Sequence, residues 1–273
     1  MAAGDIIVLE GEDTEAKKGV YFDGTDDYIL ADAHAVARVA ANDTVGTYSA
    51  WIYLDSITGN KTILSSGDND SATEGLWFVV AANQLGIQLY HGGATQFNVV
   101  ETTSSMVART WTHVAVVQDG TQPALYVNGS AVDTTNSTAT DLTMWYDELT
   151  GCDKFAVGVK ESNNTHTNDF TGAIGQVKYW NKALTAAEVL DDYNGVALSD
   201  DGTYLQFNLT MADNGTTDSG LGADDGTLTG DAHYGGWIST WSRAIERNVT
   251  GHAAETINFV ELDKLKTIIR RGD

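Results

Sequence analysis

The sequence predicts an all-β fold, a two-sheet antiparallel sandwich with one short helix and terminal extensions. Three observations predict it. Strand-like runs recur at short spacing with Gly, Asn, Asp and Ser between them, the pattern of a sandwich. Two of these runs are joined by Asn128-Gly129, residue types that accept the positive φ angles of a two-residue hairpin turn. The 273 residues include 28 Gly and one Pro, and one segment has both the start and stop signals of a helix.

Taken in order, Tyr48–Leu54 is rich in aromatic and β-branched residues, with no Gly or Pro inside. Leu76–Val80, Gly86–Tyr90 and Trp111–Val117 have the same character, and Leu125–Val132 is the hairpin around Asn128-Gly129. Thr134–Thr140 is a small-polar stretch and is expected to be an exposed loop. Lys154–Val159 and Phe170–Trp180 continue the strands. Thr185-Ala-Ala-Glu188 is a capping box, Val189, Leu190 and Tyr193 form an apolar stripe, and Asn194-Gly195 supplies the stop. Ala33–Ala41 is expected to add a short turn of helix. Alternate residues of Tyr48–Leu54 and Trp111–Val117 are large and apolar, as a core between two sheets requires. Trp51, Trp77, Trp111 and Trp180 are therefore expected in the interior, with His113 as a satisfied core histidine on the face of Trp111, Ala115 and Val117.

Composition excludes several functions. A hydrophobic content of 42% with seven Trp supports a sizeable core and argues against disorder. The net charge of −23 opposes nucleic acid and anionic membrane surfaces, which are themselves negative. No run approaches the roughly 20 apolar residues of a membrane span. The single Cys152 excludes a disulfide scaffold and a multi-cysteine zinc site, and is expected to be a small buried hydrophobe. The first five residues lack a charged segment followed by an apolar one, which suggests a chain finished inside a cell or a particle assembled there.

The charge is uneven. Residues 1–240 hold 9 Lys+Arg and 33 Asp+Glu, whereas residues 241–273 hold 6 and 5. This shift suggests an N-terminal extension over 1–18, a main domain over 19–240 and a C-terminal arm over 241–273. The arm carries the only basic cluster, Lys264, Lys266, Arg270 and Arg271, beside a strand-like run, Ile257–Leu262. Ile6–Leu9 is strand-like as well. Such runs can add to a neighbour's sheet edge, so Ile257, Phe259 and the four basic residues are the candidate docking residues.

The order of segments resembles the laminin-G-like, concanavalin A-like lectin/glucanase family, which includes relatives of the pentraxins. The resemblance is carried by Val20–Ile29, Tyr48–Ile52, Trp111–Ala115 with Leu125–Gly129, Phe170–Glu188, and Tyr204–Phe207 followed by Asp218–Gly220 and Asp225–Gly230. It covers residues 19–240 and implies a jelly roll in which one curved sheet forms a binding surface. It also implies calcium at the loop edge of the sandwich. Asp23, Asp26 and Asp27 lie in one tight turn and offer the oxygen ligands that calcium takes. Asp68-Asn69-Asp70 with Asn168-Asp169 would form a second set if their loops met.

No catalytic arrangement is apparent. Glycosidases of this fold carry paired carboxylates on one strand, and the nearest pattern, Glu261 and Asp263, lies in the arm without a third carboxylate. The six His residues show no metal-ligand spacing, and neither a nucleophile elbow nor a phosphate-binding loop occurs. Sequons such as those at Asn128, Asn208 and Asn248, and the terminal Arg271-Gly-Asp273, are too short to carry a function.

The fold itself does not fix a role. The leading expectation is a non-catalytic virion structural protein, a capsid decoration protein of a bacteriophage displayed on the virion surface. Its partner would be a major capsid protein, another virion subunit or a second copy of the chain. The alternative is a carbohydrate-binding or adhesive module on a tail fibre or cell surface, with a glycan as partner.

Overall fold

The computed structural model describes residues 6–9, 19–211, 217–230, 233–235 and 267–270. The chain divides into two compact units, Gly19–Tyr234 and one that joins Met1–Lys18 with Gly235–Asp273. In the smaller unit, β1 (Ile6–Leu9) pairs antiparallel with β20 (Thr267–Arg270), with Ile6 opposite Arg270. The strand-like run Ile6–Leu9 thus finds a partner within its own chain. Of the candidate docking residues, Arg270 lies in β20; Ile257, Phe259, Lys264, Lys266 and Arg271 lie outside the described residues.

The larger unit is a sandwich of two antiparallel sheets. The first sheet runs β11 (Ser130–Ala131), β10 (Ala124–Val127), β9 (Trp111–Gln118), β4 (Gly46–Leu54), β16 (Thr171–Trp180), β2 (Gly19–Asp23) and β19 (His233–Gly235), with β17 (Leu205–Leu209) also paired to β16. The second runs β12 (Thr134–Ala139), β8 (Ala94–Glu101), β7 (Gln84–His91), β6 (Gly75–Ala81), β5 (Asn60–Gly67), β13 (Lys154–Val157), β3 (Tyr28–Leu30) and β18 (Thr227–Thr229). A two-stranded ribbon of β14 (Lys160–Ser162) and β15 (Thr165–Thr167) stands beside β5 and β6. The expected all-β jelly roll is what forms.

Local chemistry explains the turns. Asn128 and Gly129 have φ of 49° and 76°, so the hairpin closes with Val127 opposite Ser130. The register of β16 shifts between Gly175 and Lys178. The shift bends the strand, and its first half pairs with β2 while its second half pairs with β17.

Each inner face alternates with its outer face along the strand. Tyr48, Ala50, Ile52 and Leu54 of β4 share the main core with Leu76, Phe78 and Val80 of β6 and with Leu85, Ile87 and Leu89 of β7. Burying each of the larger aliphatic or Phe side chains stabilises the fold by about 1.5–3 kcal/mol.

The tryptophans correct the sequence reading in an informative way. Trp51, Trp77 and Trp180 are buried as expected, but Trp111 is only half-buried. Trp180 belongs to a second, smaller core with Ala115, Val117, Tyr126, Leu184 and Val189, on the outer face of the first sheet. Among the described residues, the tryptophan of the inter-sheet core is Trp145, in a loop without strand character. Alternation was read correctly as a period of two, but a helix covers the outer face, so both faces of β4 are buried.

That helix is α2 (Ala186–Tyr193), and Thr185 and Glu188 form both halves of the capping box. The other, α1 (Asp32–Ala41), begins one residue before the expected span and ends at Asn42 in the left-handed region. A short α3 spans Asp201–Tyr204. Thr134–Thr140 is a correction: residues 134–139 form β12, paired to β8. Its polarity reflects an edge strand with alternating half-buried and exposed positions, whereas its Thr content suits a strand. Cys152 is buried as expected, and burial, followed by the charges of Glu74, Asp68 and Asp153, pushes its thiol pKa up, so the thiol is unreactive.

Candidate functional site

Among the described residues, no helix covers the outer face of the second sheet. Leu76, Phe78 and Val80 point to the core, so Trp77, Val79 and Ala81 face outward. Cross-strand pairing then builds two rows. Trp77 lies opposite Gln88, which lies opposite Asn98; Val79 lies opposite Gly86, which lies opposite Val100. Together they line a groove of about 220 Å³, closed at its sides by Asn60, Lys160 and Asn168.

Gly86 is central to the shape. The nearest atoms that a Cβ there would meet belong to Val99, Val100 and Val79 at 3.4–3.7 Å, an ordinary contact, and its backbone is not left-handed. Its missing side chain therefore keeps this point of the groove floor low, between the Val79 and Val100 side chains. Trp77 is only 4% exposed. Its indole N–H donates to the Glu161 carbonyl at 3.1 Å, and the Lys160 ammonium sits 3.6 Å from the ring centroid. Asn98 donates to Ser137 Oγ at 2.8 Å. The result is an apolar floor, Val79, Gly86 and Val100, walled by side-chain amides. Such a surface offers paired donors and acceptors to hydroxyl groups and an apolar patch to C–H faces.

A second depression lies at the sandwich edge. Thr25, Asp26, Tyr28, His166, Asp169 and Gly230 line a cavity of about 370 Å³. It adjoins the acidic turn, where Asp23, Asp26 and Asp27 each offer a carboxylate oxygen within 4.8 Å of the others. Asp27 is buried and accepts from the Asp23 N–H at 2.8 Å, and Asp23 accepts from the Thr25 N–H at 2.7 Å. Burial raises the Asp169 pKa, and the charges of Asp23 and Asp26 add to the rise. Asp169 thus stands with the first carboxylate set. The second set expected from the sequence does not assemble among the described residues: Asp68 accepts from the Asp70 N–H, and Asn69 donates to Asp70.

The sequence missed a third cluster, under α2. Asp192 is 4% exposed and His113 is 1% exposed. Asp192 Oδ2 accepts from Ser49 Oγ at 2.7 Å and lies 3.0 Å from His113 Nε2, and Oδ1 accepts from Lys178 at 2.6 Å. Burial alone would raise the Asp192 pKa, but the His113 hydrogen bond and the Lys178 charge hold it well below the usual carboxylate range. Ser49 and His113 both bind the carboxylate rather than each other, so this is a clamp for the helix and not a nucleophile–base pair. His113 is indeed a buried histidine, but it lies beneath α2. Ser49, His113 and Asp192 are far apart in sequence, and no local spacing announces them.

The comparisons follow this geometry. The sequence profile described as the concanavalin A-like lectin/glucanases superfamily, Laminin_G_3, matches residues 23–190. The carbohydrate-binding module CBM40 of the Ruminococcus gnavus IT-sialidase superposes with a TM-score of 0.51 at 18% identity, covering 68% of this chain and 99% of that one. A putative carbohydrate binding protein from Bacteroides ovatus superposes with a TM-score of 0.55 at 16% identity, covering 82% of this chain and 61% of that one. A leech intramolecular trans-sialidase gives 0.51 at 21% identity, with 71% of this chain but 28% of that one covered. No curated protein matches the chain in sequence. Among the described residues, no helix is long and apolar enough to cross a membrane.

Proposed function

We propose a non-catalytic glycan-binding function for this chain, which belongs to the concanavalin A-like lectin/glucanases superfamily. The observation that carries the reading is the groove on the uncovered sheet face, with Gly86 opening its floor and the amides of Gln88, Asn98, Asn60 and Asn168 around it. Sugars are bound by such combinations of bidentate amides and apolar contact. Two of the superposed structures are described as carbohydrate-binding proteins, which supports the reading; an extracellular or surface setting for the module belongs to the same proposal. Neither the family match nor these structures bear on the expected virion decoration role, so the glycan-binding alternative becomes the main reading.

The test is a glycan array with the wild-type protein and Gly86→Phe, whose ring would occupy the groove without a left-handed backbone to strain. Wild-type binding that Gly86→Phe abolishes, with the melting temperature retained, supports the groove. Binding that survives in Gly86→Phe removes it as the site.

Calcium at Asp23, Asp26 and Asp27 belongs to the same proposal. The donor set fits a hard cation, being three carboxylates with oxygens within 4.8 Å of one another. A bound calcium would fix the β2–β3 turn and screen the repulsion among Asp23, Asp26 and Asp169. Calcium bound only by the folded state raises the melting temperature by mass action, and chelation should lower it. An unchanged melting curve in chelator, with no metal found by elemental analysis, refutes the site.

A further inference from the structure

The groove contains one charged group, and its surroundings are unusual for this protein. Lys154 pairs with Asp32, Lys178 with Asp192, and Lys182 with Glu188 and Asp200. Lys61 donates to the Thr58 carbonyl. Lys160 alone among the described lysines has neither a carboxylate nor a carbonyl partner; its ammonium rests on the Trp77 ring. This happens in a chain with 38 acidic residues against 15 basic ones. Lys160 is half-buried, and burial lowers its pKa with no neighbouring charge contributing.

Holding a partly desolvated ammonium without a counter-ion is costly, and a cation–π contact offsets only part of that cost. The Trp77 N–H bond to Glu161 and the ribbon pairing of Lys160 with Thr167 keep both partners of that contact in place at the groove wall. Everything else lining the groove is uncharged. An ammonium aimed at a neutral, hydrogen-bonding groove lacks one component, an anion.

We infer that the groove selects acidic glycans, with Lys160 on its Trp77 platform pairing with the carboxylate or sulfate of the sugar while the amides bind its hydroxyls. This rests on the glycan-binding reading and adds the chemical class of ligand. An ammonium is a point charge without the fork geometry that singles out a carboxylate, so carboxylate and sulfate sugars share the prediction. The protein's own negative field disfavours anionic ligands at long range, so the preference must come from this local contact.

The experiment is an array of matched glycans, with sialylated, glucuronate-bearing and sulfated oligosaccharides beside their uncharged cores, followed by calorimetry on the best acidic hit and its core. Wild-type protein should bind the acidic member at least about tenfold more tightly, a difference of about 1.4 kcal/mol. Lys160→Met keeps the stem over Trp77 and removes the charge. It should abolish the preference, so that on the variant itself the acidic glycan and its neutral core bind with the same affinity. Comparing the carboxylate and sulfate arms identifies which anion is taken. Raising salt should weaken acidic but not neutral binding in the wild type, a readout that does not need the variant to fold. Equal binding of acidic and neutral members, or a preference unchanged in Lys160→Met, overturns this inference and leaves the groove standing. Absence of any glycan binding, or binding insensitive to Gly86→Phe, overturns the groove reading and this inference with it.

Discussion

Replacing Asp192 by Ala would test how the far side of the sandwich is held. The carboxylate is 4% exposed and gathers Ser49, His113 and Lys178, all on the outer face of the first sheet. Its removal leaves the Lys178 ammonium, only 14% exposed, facing a buried gap, and leaves Ser49 and His113 without their acceptor. Breaking a buried ion pair by deleting one partner costs about 3–5 kcal/mol, because the survivor remains desolvated. The Lys182 pairs with Glu188 and Asp200 are 24–29% exposed and provide the contrast, at about 0–1 kcal/mol each. Urea denaturation should therefore show a large drop in midpoint for Asp192→Ala with an unchanged slope. A depressed carboxylate pKa stabilises the fold above the unfolded value of about 3.9, and that share is lost as pH falls through the folded value. The gap between wild type and Asp192→Ala should stay flat from pH 7 to 5 and narrow only in stronger acid. A loss below about 1 kcal/mol at pH 7 would refute the clamp. Glycan binding should be unaffected, since the groove is on the other sheet.

Two further outcomes follow from burial. Trp145→Ala should cost about 3–5 kcal/mol as a core truncation, and Trp111→Ala distinctly less because Trp111 is half-buried; equal losses in denaturant titrations would contradict the face assignment. His34 is fully buried, and burial, outweighing its interaction with Asp224, lowers its pKa. The unfolded chain then takes up a proton that the folded one resists, so stability is full above about pH 6.5 and declines below it. His34→Gln should flatten that decline between pH 7 and 5, and identical slopes in the two proteins would exclude His34 as its source.

Much of the sandwich was legible because its signals are local. Asn128-Gly129 demands a tight hairpin, Thr185 and Glu188 start a helix, and runs such as Tyr48–Leu54 have only one good conformation. The tryptophans show where legibility ended. Period-two alternation says that two faces differ, but not which one meets the other sheet. That choice depends on α2 landing on Trp51 and Ser49, a tertiary event between residues more than 130 apart. Trp145 sits in a loop, so pattern reading gave it no role. The acidic turn was legible because its three aspartates fall within five residues. The groove was not, because Trp77, Gly86, Gln88, Asn98 and Lys160 converge only through strand register and a ribbon folding back.

The two outer faces of the sandwich therefore have different chemistry for a physical reason. On the first sheet, outward positions are large or chargeable, namely Trp51, His113, Lys178 and Trp180, and they require a cover; α2 supplies apolar contact through Val189 and a counter-ion through Asp192. On the second sheet, the outward side chains Val79, Gly86, Gln88 and Asn98 are small or amide-bearing, and the one large neighbour, Trp77, is held by the β14–β15 ribbon through the Glu161 carbonyl and Lys160. A surface that tolerates water but holds fixed amides, an open floor and one unneutralised ammonium can exchange water for hydroxyl groups and an anion at little cost in ordering. The same reasoning favours the second sheet as the face for the proposed glycan binding. It also separates Lys178 from Lys160, each beside a tryptophan: the first has its carboxylate within the fold, and the second has none among the described residues.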